Sequence, residues 1–124
     1  MKQLLERAFF GKDTCLIVSY KDDCYFQFGK KSGDNWSWKK VKMNDVELGE
    51  IMLVLEGRLN KTSFYHSFSK DGVTSKTQIF IDTLDSGAVS FRVPEVTRAL
   101  QKGEQQVLLV LLKHIVLMSN LQFA

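Results

Sequence analysis

Residues 36–43 read Trp-Ser-Trp-Lys-Lys-Val-Lys-Met. Side chains of a β-strand alternate between its two faces. An extended segment here therefore places Trp36, Trp38, Lys40 and Lys42 on one side and Ser37, Lys39, Val41 and Met43 on the other. Val41 and Met43 are the natural core contacts, which leaves two indoles and two ammonium groups facing the other way. Indoles stack on flat π-systems, and ammonium groups neutralise anionic oxygen. An unpaired nucleic-acid strand offers both targets. A base stacked on an aromatic side chain contributes roughly 1–3 kcal/mol, and each phosphate met by lysine releases counterions. The competing reading buries one tryptophan beneath the lysine stems. The pair of indoles beside the lysines favours binding.

The segment just before this strand adds Lys30 and Lys31. Between residues 30 and 42 five lysines face a single acid, Asp34, a local charge of +4, whereas the whole chain carries +3 from 17 basic and 14 acidic residues. The basic character is thus gathered beside the tryptophans. In Thr62-Ser-Phe-Tyr-His-Ser-Phe-Ser69, alternation groups Phe64, His66 and Phe68 on one face and Ser63, Tyr65 and Ser67 on the other. Either aromatic set is able to extend the stacking surface, with Phe64 and His66 the named candidates, and Arg92 is a candidate phosphate contact.

Catalytic chemistry finds little support. His66 has no nucleophile or carboxylate partner at a recognisable spacing, and His66 and His114 read as structural histidines. The chain has no phosphate-binding glycine loop, no GxGxxG and no His/Cys cluster with metal spacing. Asp45, Glu47 and Glu50 read as acids at a helix start, favoured by the helix dipole. The expectation is a binding protein with no catalytic residue, metal or cofactor. Cys15 and Cys24 lie nine residues apart and read as free thiols in a reducing compartment.

The elements that must position these residues follow from pattern. Cys15–Tyr20 and Cys24–Phe28 read as a hairpin around Lys21-Asp22-Asp23, Gly29–Asn35 as a loop, and Trp36–Met43 as the third strand. Asn44 with Glu47 three residues on forms a capping-box signature. A helix is expected over about 45–56, with Leu48, Ile51, Met52, Leu55 and Leu59 as its apolar stripe and Gly57 as its stop. Strands Thr62–Ser69, Ser75–Asp82 and Ala88–Val93 follow, then a long helix over 103–120. Residues 1–9 read as a short helix or an irregular arm. The fold class is α+β, with two antiparallel β-sheets each followed by a helix, β-β-β-α twice, in one domain spanning residues 1–124.

The last helix carries apolar residues around more than one face. Val107, Leu108, Leu111, Leu112 and Ile115 are candidates for a homo-oligomer interface, in a dimer or tetramer. Its apolar stretch is too short to cross a bilayer and contains Lys113 and His114. No signal-peptide pattern opens the chain. A cytoplasmic protein with no membrane partner is expected.

In order of elements the chain resembles the Whirly family of single-stranded-DNA-binding proteins. It also resembles their relatives, the kinetoplastid mitochondrial RNA-binding proteins and the wider transcriptional-coactivator superfamily. The resemblance runs from Val18-Ser-Tyr-Lys-Asp22 and Phe26-Gln-Phe28 through Trp36-Ser-Trp-Lys-Lys-Val41 and Val46-Glu-Leu-Gly-Glu50. It continues through Ser63-Phe-Tyr-His66 and Asp85-Ser-Gly87 to the C-terminal helix. It implies two sheets braced by helices, four protomers in a whirligig, and bases lying near the Trp36/Trp38 and Phe64–His66 strands. It leaves the first sheet a strand short unless Leu4–Phe10 supplies one, and the family's Lys-Gly-Asn-Lys-Ala loop has no counterpart here. The expected function is binding of single-stranded nucleic acid, DNA before RNA, with little sequence preference. The alternative is an oligomeric protein-interaction module that uses the Trp36/Trp38 patch as its hot spot.

Overall fold

In a computed structural model, residues 4–70 and 72–121 of the 124 are described, with the side chains of residues 68–70 and 73 left aside. The chain is α+β. Strands β1 (Leu5–Phe10), β2 (Thr14–Tyr20), β3 (Cys24–Ser32) and β4 (Asn35–Met43) form one antiparallel sheet in that order, followed by helix α1 (Asp45–Leu55). Strands β5 (Lys61–Lys70), β6 (Val73–Thr83), β7 (Val89–Val93) and β8 (Val96–Leu100) form a second, followed by helix α2 (Lys102–Asn120).

Each sheet therefore has four strands where three were expected. Residues 5–10 are a strand and not a helix. Phe9 pairs with Leu16 and buries its ring, while Phe10 pairs with Cys15 and turns outward. The second additional strand, β8, sends Val96, Arg98 and Leu100 inward. The expected loop at Gly29–Asn35 is mostly strand. β3 and β4 stay paired out to Ser32 and Asn35 and turn over two residues, with Gly33 at φ 63°. A left-handed backbone there costs glycine nothing.

The core forms where the inner faces of the sheets and the two helices meet. Leu16, Val18, Phe26, Phe28 and Val41 of the first sheet join Ile79, Ile81, Phe91 and Leu100 of the second. Phe26 and Phe91 lie with ring centroids 6.2 Å apart. α1 contributes Leu48, Ile51 and Val54. Its start is capped reciprocally: the Glu47 N–H donates to Asn44 Oδ1 at 2.8 Å, and the Asn44 N–H donates to Glu47 Oε1 at 3.0 Å. Its end is a Schellman turn, in which the Gly57 N–H donates to the Val54 carbonyl, the Arg58 N–H donates to the Leu53 carbonyl, and Gly57 takes φ 74°.

α2 corrects the expected interface. Leu108, Leu112 and Ile115 are buried in the chain's own core, and Leu111 is half-buried against it. Four strands per sheet give a broader inner surface than three, so more of the helix is covered. The apolar side chains left exposed are Val107, Val110, Leu117 and Met118, with Leu121 just beyond the helix. No described helix is long and apolar enough to cross a membrane.

Cys15 and Cys24 are free and buried. Burial pushes the Cys24 thiol from the ordinary 9.0 up to about 12. Burial also raises Cys15, against the nearby Arg98 charge and a hydrogen bond to the Phe9 backbone. A thiol kept neutral by the fold costs nothing below pH 9, where the unfolded chain is protonated too. Above pH 9 the unfolded chain loses its proton first, so this contribution to stability declines as pH climbs toward 12. Cys24→Ala is expected to show a shallower loss of stability over that window than the parent chain in denaturant titrations. Ellman's reagent at pH 8 should label neither thiol before unfolding, and rapid native labelling would contradict the burial.

Candidate nucleic-acid interface

The first sheet keeps its inner face for the core, so register decides what lies outside. Met43 pairs with Cys24 and Val41 with Phe26, both inward. Trp38 pairs with Gly29, Lys40 with Gln27, Lys42 with Tyr25 and Trp36 with Lys31, all on the outward side. The alternation expected for residues 36–43 is the one present.

The two indoles are stacked, with centroids 5.4 Å apart and planes 18° from parallel. Trp38 is 44% exposed, and Trp36 is half-buried. Phe10, reaching across from β1, meets the Trp36 ring edge-on at 6.2 Å. Trp38 is seated by a missing side chain. A Cβ built on Gly29 would fall 2.4 Å from Cζ3, 2.6 Å from Cη2 and 2.7 Å from Cε3 of the indole. Only glycine leaves that space, and Gly29 was read from sequence as part of a loop.

The cations sort into distinct settings. Lys31 lies beside Trp36 on the outward face, whereas Lys30 pairs with Ser37 and belongs to the opposite side of the hairpin. Both are exposed. The Lys40 ammonium sits 4.3 Å from the centroid of the Tyr25 ring. Lys42 lies 3.4 Å from Asp23, an exposed pair. Such a pair contributes about 0–1 kcal/mol, so Asp23 holds Lys42 only weakly. A shallow depression beside Lys40 and Tyr25 is also lined by Asp22 and Asp23, which bounds the basic surface on that side.

The remaining candidates do not join this face. Phe64 packs in the core at 8% exposure. His66 lies on the same inner side of β5, its Nε2 2.7 Å from Glu47 Oε2, and ties the strand to the start of α1. Both offer structure in place of the stacking role expected of them. The Phe68 side chain lies outside the described residues. Arg92 is exposed on the outward face of the second sheet, its guanidinium 4.3 Å from the centroid of Phe80. Tyr65, 69% exposed, lies on that same face. Sequence reasoning missed Phe10, Tyr25, Gly29 and Phe80 as parts of these surfaces. Tyr25 sat in plain alternation opposite Phe26 and could have been found. Among the described residues no group of His, Cys, Asp or Glu is placed to hold a metal ion.

Comparison with protein-family models, with curated proteins and with solved structures found no match to this chain.

Gly29→Ala forces Trp38 off its seat. The variant is expected to keep its strand content by circular dichroism while the exciton signature of the stacked indoles collapses and acrylamide quenching rises. Unchanged indole spectroscopy would mean that Gly29 does not seat the ring.

Proposed function

We propose that this chain is a single-stranded nucleic-acid-binding module, acting on DNA in the first instance, with little sequence preference and no chemical step of its own. The observation that carries the reading is the outward face of the first sheet, where a stacked Trp36/Trp38 pair lies beside Lys31, Lys40 and Lys42. Every base has a π-face, so stacking tolerates any sequence, and lysine at a phosphate is blind to sequence as well. Duplex DNA hides its bases within the helix and offers such a surface only its phosphates.

A Whirly-like architecture belongs to the same proposal. Two points support it: β1 supplies the strand that the resemblance left missing from the first sheet, and both halves of the chain run four strands and then a helix. Self-association through α2 is proposed as well, now through Val107, Val110, Leu117 and Met118, since Leu108, Leu112 and Ile115 are spent on the core.

Fluorescence anisotropy of a labelled oligo-dT strand, titrated at several salt concentrations, tests the binding reading. Three lysines meeting three phosphates give a slope of about −2 in log K against log salt. Trp36→Ala with Trp38→Ala is expected to weaken binding by about 30-fold or more. Absence of binding at low salt would overturn the proposal and leave the indole pair as a protein contact. Val110→Glu is expected to lower the mass measured by light scattering with the fold intact, and an unchanged mass would remove the helix from the interface.

A further inference from the structure

Arg98 is the one buried cation among the described residues, at 8% exposure, and it is absent from the binding face. It projects from the inner side of β8 toward the far end of the other sheet. Its Nε donates to the Phe9 carbonyl at 3.2 Å and its Nη2 to the Phe10 carbonyl at 3.1 Å. The guanidinium also meets the Ala99 carbonyl and the Glu104 carboxylate. Glu104 is itself held, accepting from the Gln101 N–H at the start of α2 at 3.0 Å. Gly11 makes the approach possible: a Cβ there would lie 3.1 Å from Arg98 Nε and 3.2 Å from Cδ.

This arrangement has a specific consequence for Phe10. β1 is an edge strand, and Phe10 is its last residue, with 64% of its surface exposed. Burial does little to fix a ring so placed. Its backbone is fixed instead, because two successive carbonyls at the strand end accept from one planar, forked donor. A guanidinium reaches both at once, which a lysine ammonium on a flexible stem does not reproduce. With the carbonyls pinned, the Phe9 ring is committed to the core and the Phe10 ring to the edge of Trp36.

We propose that Arg98 is a positioning residue for the aromatic surface: from β8 it holds the end of β1 so that Phe10 braces Trp36, and through it the Trp36/Trp38 stack. The role in ligand binding rests on the nucleic-acid reading above, whereas the role in ring geometry stands without it. Removing one partner of a buried, hydrogen-bonded charge is destabilising in itself, so a loss of stability does not separate bracing of the fold from positioning of the rings, and the indole signals do.

The test compares Arg98→Lys, Gly11→Ala and Phe10→Ala by the two indole N–H resonances in a ¹H–¹⁵N spectrum, together with oligo-dT affinity. Gly11→Ala pushes on the guanidinium without removing it, and it serves if Arg98→Lys fails to fold. Arg98→Lys and Gly11→Ala are each expected to move the Trp36 indole signal in the direction that Phe10→Ala moves it. Each should also weaken binding about two- to tenfold, the worth of one aromatic contact. A loss of thermal stability with both indole signals unmoved would overturn the proposal. So would unchanged affinity in Arg98→Lys when Phe10→Ala binds more weakly. If the parent chain binds no single strand, the nucleic-acid reading fails, and the indole shifts still decide whether Arg98 positions the rings.

Discussion

Phe26 and Phe91, one from each sheet, meet in the middle of the core with their ring planes tilted by 40°, and around that contact each sheet surrenders one side to the other. Burial of apolar surface supplies the driving force, and the two-residue period of a strand turns it into a rule about direction. Once Val41 and Met43 are committed inward, Trp36, Trp38, Lys40 and Lys42 have nowhere to go but out. The outward indole and lysine face is thus a by-product of the core's register. Slipping β4 by one residue against β3 would turn the indoles, Lys40 and Lys42 inward and expose Val41 and Met43. Register is held along the full length of the hairpin, from Cys24 opposite Met43 to Ser32 opposite Asn35.

Polar contacts then refine what burial has set up. Glu47 uses one oxygen to cap α1 and the other to hold His66 on β5. Gln105 of α2 donates to the carbonyls of Gly87 and Leu100, tying the helix to a turn and to β8. Arg98 joins β8, the end of β1 and the start of α2 at one guanidinium. Each of these side chains connects segments distant in sequence, and Gln105 and Arg98 also satisfy buried backbone carbonyls.

Elements whose local chemistry agrees with their environment were legible in the sequence. The caps of α1 and the alternation of β4 are examples, because the residues that define them act on their immediate neighbours. β8 was not legible. Its inward row contains Arg98, which breaks the apolar pattern, and the turn before it uses Glu95 at φ 70° where a glycine would have announced a bend. β1 hid for a related reason: Glu6 and Arg7 interrupt its short apolar run, and its partner β2 lies across a turn with no strong signature. Gly29 looked like loop chemistry because its reason for being glycine, the ring of Trp38, comes nine residues later. The candidate site was legible as one strand's face, and its depth was not. Phe64 and His66 shared the right pattern but faced the interior, a choice made by β6 and α1 and invisible within β5 itself.

β4 is also an outer strand of its sheet. An outer strand presents backbone donors and acceptors that invite another strand to add on, and natural sheets blunt this with charge, lysine above all. Lys39, Lys40 and Lys42 put three positive charges along that border. The ammonium groups beside the indoles therefore also guard against one copy zipping onto the next. Neutralising those charges would lift that repulsion and leave the border unguarded, so the colloidal behaviour of the chain depends on the same few lysines that flank the indoles.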